Sequence, residues 1–132
     1  MVKKFLILFV LIVVVLCWLI FKNVLYKYEI VEFNLDGKTY RLYLADTSKK
    51  QQRGLMNIKK KPVNIDGMLF KFPTKAYRVF YNKNTYLDLD IYWIKDSSVV
   101  GKNFLPSLKT SGGVIVYVSS PQEVDTVVEL IR

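Results

Sequence analysis

Residues 31–36 alternate: Val31, Phe33 and Leu35 fall on one face of an extended chain, and Glu32, Asn34 and Asp36 on the other. Residues 39–44 repeat the pattern, with Tyr40, Leu42 and Leu44 opposed to Thr39, Arg41 and Tyr43. Period two with β-branched and aromatic residues predicts two half-buried strands. Asp36-Gly37 between them predicts a tight hairpin, because glycine accepts the positive φ of a type I′ turn. Asp46-Thr47-Ser48 supplies helix N-cap oxygens, Ser48 with Gln51 fits a capping box, and Gly54 stops the helix after a short run. Lys59-Lys60-Lys61-Pro62 reads as an exposed loop. Short apolar stretches at 67–72, 77–81, 86–94, 97–101 and 114–119 predict further strands, while 126–131 fits a strand or a helical turn. In the stretch 86–94, Leu87, Leu89, Ile91 and Trp93 share one face, and Tyr86, Asp88, Asp90 and Tyr92 the other. The expected fold is mainly β with minor α content: a small antiparallel, barrel-like sheet with one short helix.

The first quarter of the chain breaks this pattern. Seventeen consecutive residues from Phe5 to Phe21 are apolar. As a helix they reach about 25 Å, and roughly 31 Å if the run extends through Lys22 to Leu25 with the Lys22 ammonium snorkelling outward. That length predicts a single N-terminal transmembrane helix, a signal-anchor. A cleaved signal peptide is the competing reading, since Lys3 and Lys4 form a positive n-region, but no small-x-small cleavage site follows. Lipidation at Cys17 is disfavoured by Leu16 before it. The expected organisation is therefore an anchor over residues 1–27, held in the membrane through residues 5–25, and a β-rich extracytoplasmic domain over 28–132. The short N-terminus is placed in the cytoplasm.

Charge and composition narrow the chemistry. The chain carries 20 Lys/Arg against 11 Asp/Glu, a net charge of +9. From Tyr28 onward the balance is 16 to 11, or +5. There is one cysteine, Cys17, and no histidine. Cys or His nucleophile pairs, histidine general bases and Cys/His metal sites are excluded from the domain, and no metal or cofactor is implied.

Several short motifs carry a resemblance. Arg53-Gly54-Leu55-Met56, then Asp66-Gly67-Met68-Leu69-Phe70, then Lys83-Asn84-Thr85 with Leu89-Asp90-Ile91 resemble the family called domain of unknown function 192, whose pattern runs R-G-L-M, G-M-L-F and W-M-K-N-T before I-P-L-D-I. Val100, Asn103 and Pro106 are similar to its next block. Tyr117, Ser119, Pro121 and Val128-Glu129-Leu130 are similar to its last. The resemblance implies a small β-rich domain over roughly residues 35–131, and brings a fold more than an activity. The chain departs from the pattern where Tyr81 and Asn82 replace Trp and Met, where Asp88 replaces Pro, and in stopping at Arg132, which leaves a closing strand in question.

The polar members of these motifs, Arg53, Lys83, Asn84, Thr85 and Asp90, form the candidate ligand site. If convergent, their forked donors, amide, hydroxyl and carboxylate suit a small anionic or polyhydroxylated ligand. The alternative is structural, with Asn84-Thr85 closing a turn and Lys83 or Arg53 pairing with Asp90. Asp88 and Asp90 share a strand face, which suits a hydrated surface better than catalysis across a bond. The basic stretch Lys49, Lys50, Arg53, Lys59, Lys60 and Lys61 has no acid within it and is a candidate contact for anionic lipid head groups, or simply a hydrated surface. It lacks interleaved aromatics for base stacking, which argues against nucleic acid. Phe70, Phe72, Phe80, Tyr92 and Trp93 read as core. The leading expectation is a binding or accessory domain recognising an envelope ligand or partner protein. The alternative is an enzyme using carboxylate and Lys/Arg chemistry on a glycan or phosphorylated substrate. A carboxyl of raised pKa in a cleft would favour the enzyme.

Overall fold

Asp36 and Gly37 both take positive φ, 52° and 80°, and turn β1 (Ile30–Leu35) directly back on β2 (Lys38–Ala45) in the predicted hairpin. The computed structural model describes residues 2–24 and 28–132, with side chains for 3–19 and 28–132. After β2 the chain enters α2 (Ser48–Arg53), capped by Thr47 rather than Ser48: the Thr47 hydroxyl accepts from the Lys50 N–H at 3.4 Å. Gly54 ends it at φ 49°. The Gln51 amide then donates to the carbonyls of Ala45 and Lys71, at 3.2 and 2.7 Å, fastening the helix across the strands on either side of it.

The strands that follow are β3 (Gly67–Ala76), β4 (Val79–Tyr81), β5 (Leu89–Lys95), β6 (Ser98–Leu105), β7 (Tyr117–Ser119) and β8 (Val124–Ile131). Six of them form one sheet in the order β1-β2-β3-β8-β5-β6, and β4 and β7 pair separately as a small ribbon. Two features correct the expected antiparallel barrel. β2 and β3 run parallel, because the chain returns through α2 before pairing Leu42 with Gly67. The sheet also has two ends, β1 and β6, with no pairing between them among the described residues. Among the described residues the fold is mainly β, with a mixed six-stranded sheet and two helices.

The second correction concerns α1 (Val2–Val24). Among the described residues no helix is long and apolar enough to cross a membrane. Its described side chains run from 3 to 19 and begin with Lys3 and Lys4, so the apolar residues among them, 5–19, reach about 22 Å against a hydrocarbon core of roughly 30 Å, and Ile20 and Phe21 lie outside the described side chains. The extension through Lys22 to Leu25 lies outside the described side chains. The expected single-pass signal-anchor, with a cytoplasmic N-terminus and an extracytoplasmic domain, is therefore not supported.

Both faces of the sheet are covered by apolar side chains. Leu35, Leu42, Leu69, Ile94, Val128 and Leu130 make one cluster. On the other face Met68, Phe70, Leu89, Ile91, Trp93, Val127 and Ile131 pack with Leu55 and with Val118 and Phe80 of the β4–β7 ribbon. Phe80 stands edge-on to both Phe70 and Trp93, at 5.0 and 5.6 Å between centroids, an arrangement favoured by the ring quadrupoles.

A buried amide shapes the loop between β6 and β7. Asn82 is fully buried; its Nδ2 lies 3.0–3.2 Å from the Pro106 carbonyl, the Ser111 hydroxyl and the Val114 carbonyl, and its Oδ1 accepts from the Val116 N–H at 2.8 Å. Asp88 secures the same loop by accepting from the Ser107 N–H and the Thr110 hydroxyl, bonds that hold its carboxyl below the usual range. Asn82→Ala strands several buried partners at once, so a loss of about 3 kcal/mol in denaturant-unfolding stability is expected. A loss under about 1 kcal/mol would show that the loop holds without the amide.

Candidate functional site

Arg53 closes α2, and the left-handed Gly54 after it turns the chain so that Leu55 enters the core and Met56 stays at the surface of a cleft. Across from this turn, residues 82–85 make a second one. The Thr85 N–H donates to the Asn82 carbonyl at 3.0 Å, and Asn84 takes a φ of 52°, which asparagine tolerates better than most residues. The two turns are joined where the Asn57 N–H donates to the Asn84 carbonyl at 2.8 Å. Between them opens a cleft of about 760 Å³ lined by Arg53, Lys83, Asn84 and Thr85, walled by Phe70, Phe72 and Phe80, and bounded by Arg78 and Tyr77. The volume is in the range of small-molecule sites.

Four of the five sequence candidates therefore stand on one concavity. Arg53, Lys83 and Asn84 are exposed, while Thr85 is buried and gives its hydroxyl to the Lys83 carbonyl at 3.3 Å. Asp90 is elsewhere. Alternation along β5 points it away from Leu89 and Ile91, and it pairs with Arg132 at 2.7 Å and Lys102 at 3.3 Å. The basic stretch is dispersed: Lys50 pairs with Asp46 at 2.9 Å, Lys61 with Asp66 at 3.6 Å, and Lys59 lies over the Tyr86 ring at 5.8 Å. Lys49 and Lys60 are exposed.

The residue sequence reasoning passed over is Glu129. On β8 it shares a face with Val127 and Ile131, and its neighbours across the sheet are Met68 and Ile91, so it occupies the middle of an apolar face. It is only 4% exposed, lines the floor of the cleft, and is the sole acid among the cleft-lining residues. Its Oε2 is buried without a hydrogen-bond partner. Burial pushes its pKa up to about 8, since the ionised form is poorly solvated there. At neutral pH it is a carboxylic acid with a proton to donate.

Arg78 was also unforeseen. Its guanidinium stacks on Phe72 at 3.8 Å and donates to the Thr74 carbonyl at 2.8 Å, which fixes a positive charge at the wall. The cleft thus combines the cations Arg53, Lys83 and Arg78 with amide, hydroxyl and a neutral acid. No group of three or more Asp, Glu, His or Cys that would hold a metal occurs among the described residues. Arg53-Gly54-Leu55-Met56, Phe70 of the Gly-Met-Leu-Phe strand, Lys83-Asn84-Thr85 and Glu129 all reach this one place.

Comparison with known proteins agrees with this assembly of motifs. The family model DUF192, described as "Uncharacterized ACR, COG1430", matches residues 31–132. No curated protein matches the chain significantly. A crystal structure from Sinorhizobium meliloti 1021, of a protein described as a candidate transcription regulator, is similar at a TM-score of 0.63 and 24% identity, covering 80% of this chain and 82% of that one. A protein of unknown function from Novosphingobium aromaticivorans DSM 12444 is similar at a TM-score of 0.63 and 19% identity, covering 79% and 73%. Both likenesses concern the fold alone.

Proposed function

We propose that this chain, which belongs to the DUF192 family, binds a small ligand bearing a carboxylate or phosphate in the cleft above Glu129. The observation that carries the reading is the buried acid itself, unpartnered at the floor of a cleft whose charged walls are all cationic. A buried polar atom without a partner is costly, and a ligand oxygen supplies the missing one. With its proton on, Glu129 donates to an anion that an ionised carboxylate would repel. Arg53 and Lys83 attract the anion, and the Asn84 amide offers hydrogen bonds to it.

The test uses D-galacturonate and inorganic phosphate as probes in calorimetry. One or both are expected to bind at pH 6.5, more weakly above pH 8 as Glu129 ionises and turns from donor to repelling charge. Arg53→Ala with Lys83→Ala should weaken binding by about ten-fold or more. Both side chains are exposed, so thermal stability should change by less than about 1 kcal/mol. Binding of neither probe, or equal binding by the double variant, would remove the proposal.

The same carboxyl favours a second reading. An acid that keeps its proton near neutrality can protonate a leaving group or carbonyl oxygen, which is the condition named above for preferring an enzyme. Acid catalysis on a bound anion therefore outranks an accessory role toward a partner protein. It ranks below simple binding because no second carboxylate, histidine or cysteine lines the cleft to complete an acid–base pair.

A further inference from the structure

The mouth of the cleft is paved with tyrosine. Tyr77 and Tyr81 line it, and Tyr81 continues across the β4–β7 ribbon to its paired residue Tyr117. The Tyr81 and Tyr117 rings lie 5.8 Å apart at 34°, a shared tilted surface rather than a closed stack. Tyr77 is 68% exposed, Tyr117 66% and Tyr81 39%, so their faces are offered to solvent beside a site whose walls are cationic.

We infer that the ligand is an acidic oligosaccharide, with one charged sugar seated over Glu129 and the following units laid along Tyr77, Tyr81 and Tyr117; this rests on the anion-binding reading of the cleft. A pyranose ring has an apolar C–H face and a rim of hydroxyls. A tyrosine answers both, with an apolar ring and a polar tip. Rigid aromatic platforms also lose little conformational freedom on binding, unlike the long side chains they would replace. A lone phosphate or carboxylate uses only the floor and leaves the platform idle. A linear chain of small charged rings uses floor and platform together.

Calorimetry on the full chain with D-galacturonate and tetragalacturonate separates the two claims. Tetragalacturonate is expected to bind about ten-fold tighter than the single sugar. Tyr77→Ala with Tyr117→Ala should reduce that advantage to about two-fold or less, and Tyr117→Phe should preserve it; Tyr117 does not line the cleft, so Tyr117→Ala alone should leave single-sugar affinity unchanged. If the single sugar binds but the tetramer gains nothing, or the gain survives the double alanine variant, the oligosaccharide inference falls and the cleft reading stands. Tetraglutamate binding as tightly as tetragalacturonate would assign the platform to a peptide and overturn the inference. If neither sugar binds but inorganic phosphate does, only the oligosaccharide inference falls; if none of the three binds in an Arg53-dependent way, both readings fail together.

Discussion

Gly67→Ala is expected to abolish stable folding of the domain. A Cβ on Gly67 would lie 1.8 Å from the Glu129 carbonyl oxygen and 2.9 Å from its carbon, inside the backbone of the next strand. No rotamer can relieve a collision between a Cβ and a neighbouring main chain, so β3 and β8 must separate. They are interior strands, and Gly67 pairs with Leu42 on one side and Leu130 on the other, so separation also disturbs the β2 pairing. A loss of at least about 4 kcal/mol, a large part of an ordinary domain's stability, is expected in urea unfolding or as failure to recover folded protein. Gly37→Ala is a useful comparison. It is strained by its φ of 80°, yet nothing lies within 4 Å of the added methyl, so its effect should stay near 1 kcal/mol. Comparable stabilities for the two variants would mean that the strands accommodate the methyl.

Glu129 is expected to make the domain less stable as pH rises from about 4.5 to about 8. Below its ordinary value of 4.5 the carboxyl is protonated in both folded and unfolded chains, and burial costs it little. Between 4.5 and about 8 the unfolded chain releases the proton and the folded chain keeps it. The unfolded state then binds fewer protons, and stability falls by about 1.4 kcal/mol per pH unit, on the order of 5 kcal/mol across the window. Above pH 8 the loss is complete and the curve flattens. Glu129→Gln removes the titration, so the variant should match the wild type near pH 4 and exceed it by several kcal/mol at pH 8. Taking the difference between the two proteins cancels Asp46 and Asp88. Their lowered pKa values contribute stability above their ordinary 3.8 that is lost on acidification. Parallel stability curves for wild type and variant would show that Glu129 ionises normally.

The elements that depend on neighbouring residues were legible in the sequence, and those that depend on distant ones were not. Asp36-Gly37 fixes its hairpin because the turn and both strands lie within one short segment. The parallel pairing of Leu42 with Gly67 leaves no such mark, since period two describes a strand without naming its neighbour. For residues 126–131 the pattern fitted two structures, because a strand apolar on both faces loses its alternation; it is β8, buried between β3 and β5. The apolar N-terminal run, Phe5 to Phe21, was read as a span by extending it through Lys22 to Leu25, and among the described residues no helix is long and apolar enough to cross a membrane. Arg53, Lys83, Asn84 and Thr85 were singled out from their motifs, and one cleft brings them together. Asp90 was grouped with them by its place in the sequence, although its alternation with Leu89 and Ile91 already put it on the other face. For Glu129 the signal was present: a single charge inside Val-Val-Glu-Leu-Ile is an anomaly that either pairs or stays protonated.

The order β1-β2-β3-β8-β5-β6 also says something about time. One half of the sheet is built from β1, β2 and β3, the other from β5 and β6, and the two meet only through β8. β8 is made after every other strand, and its partners in β3 lie 48 to 63 residues earlier. A growing polypeptide can therefore form two hairpin-like fragments early but cannot weld them until this keystone emerges, and such long-range closure is slow. The keystone also carries Glu129. No half-made domain possesses the acid in its buried setting, so the chemistry of the cleft is switched on by the same event that completes the fold.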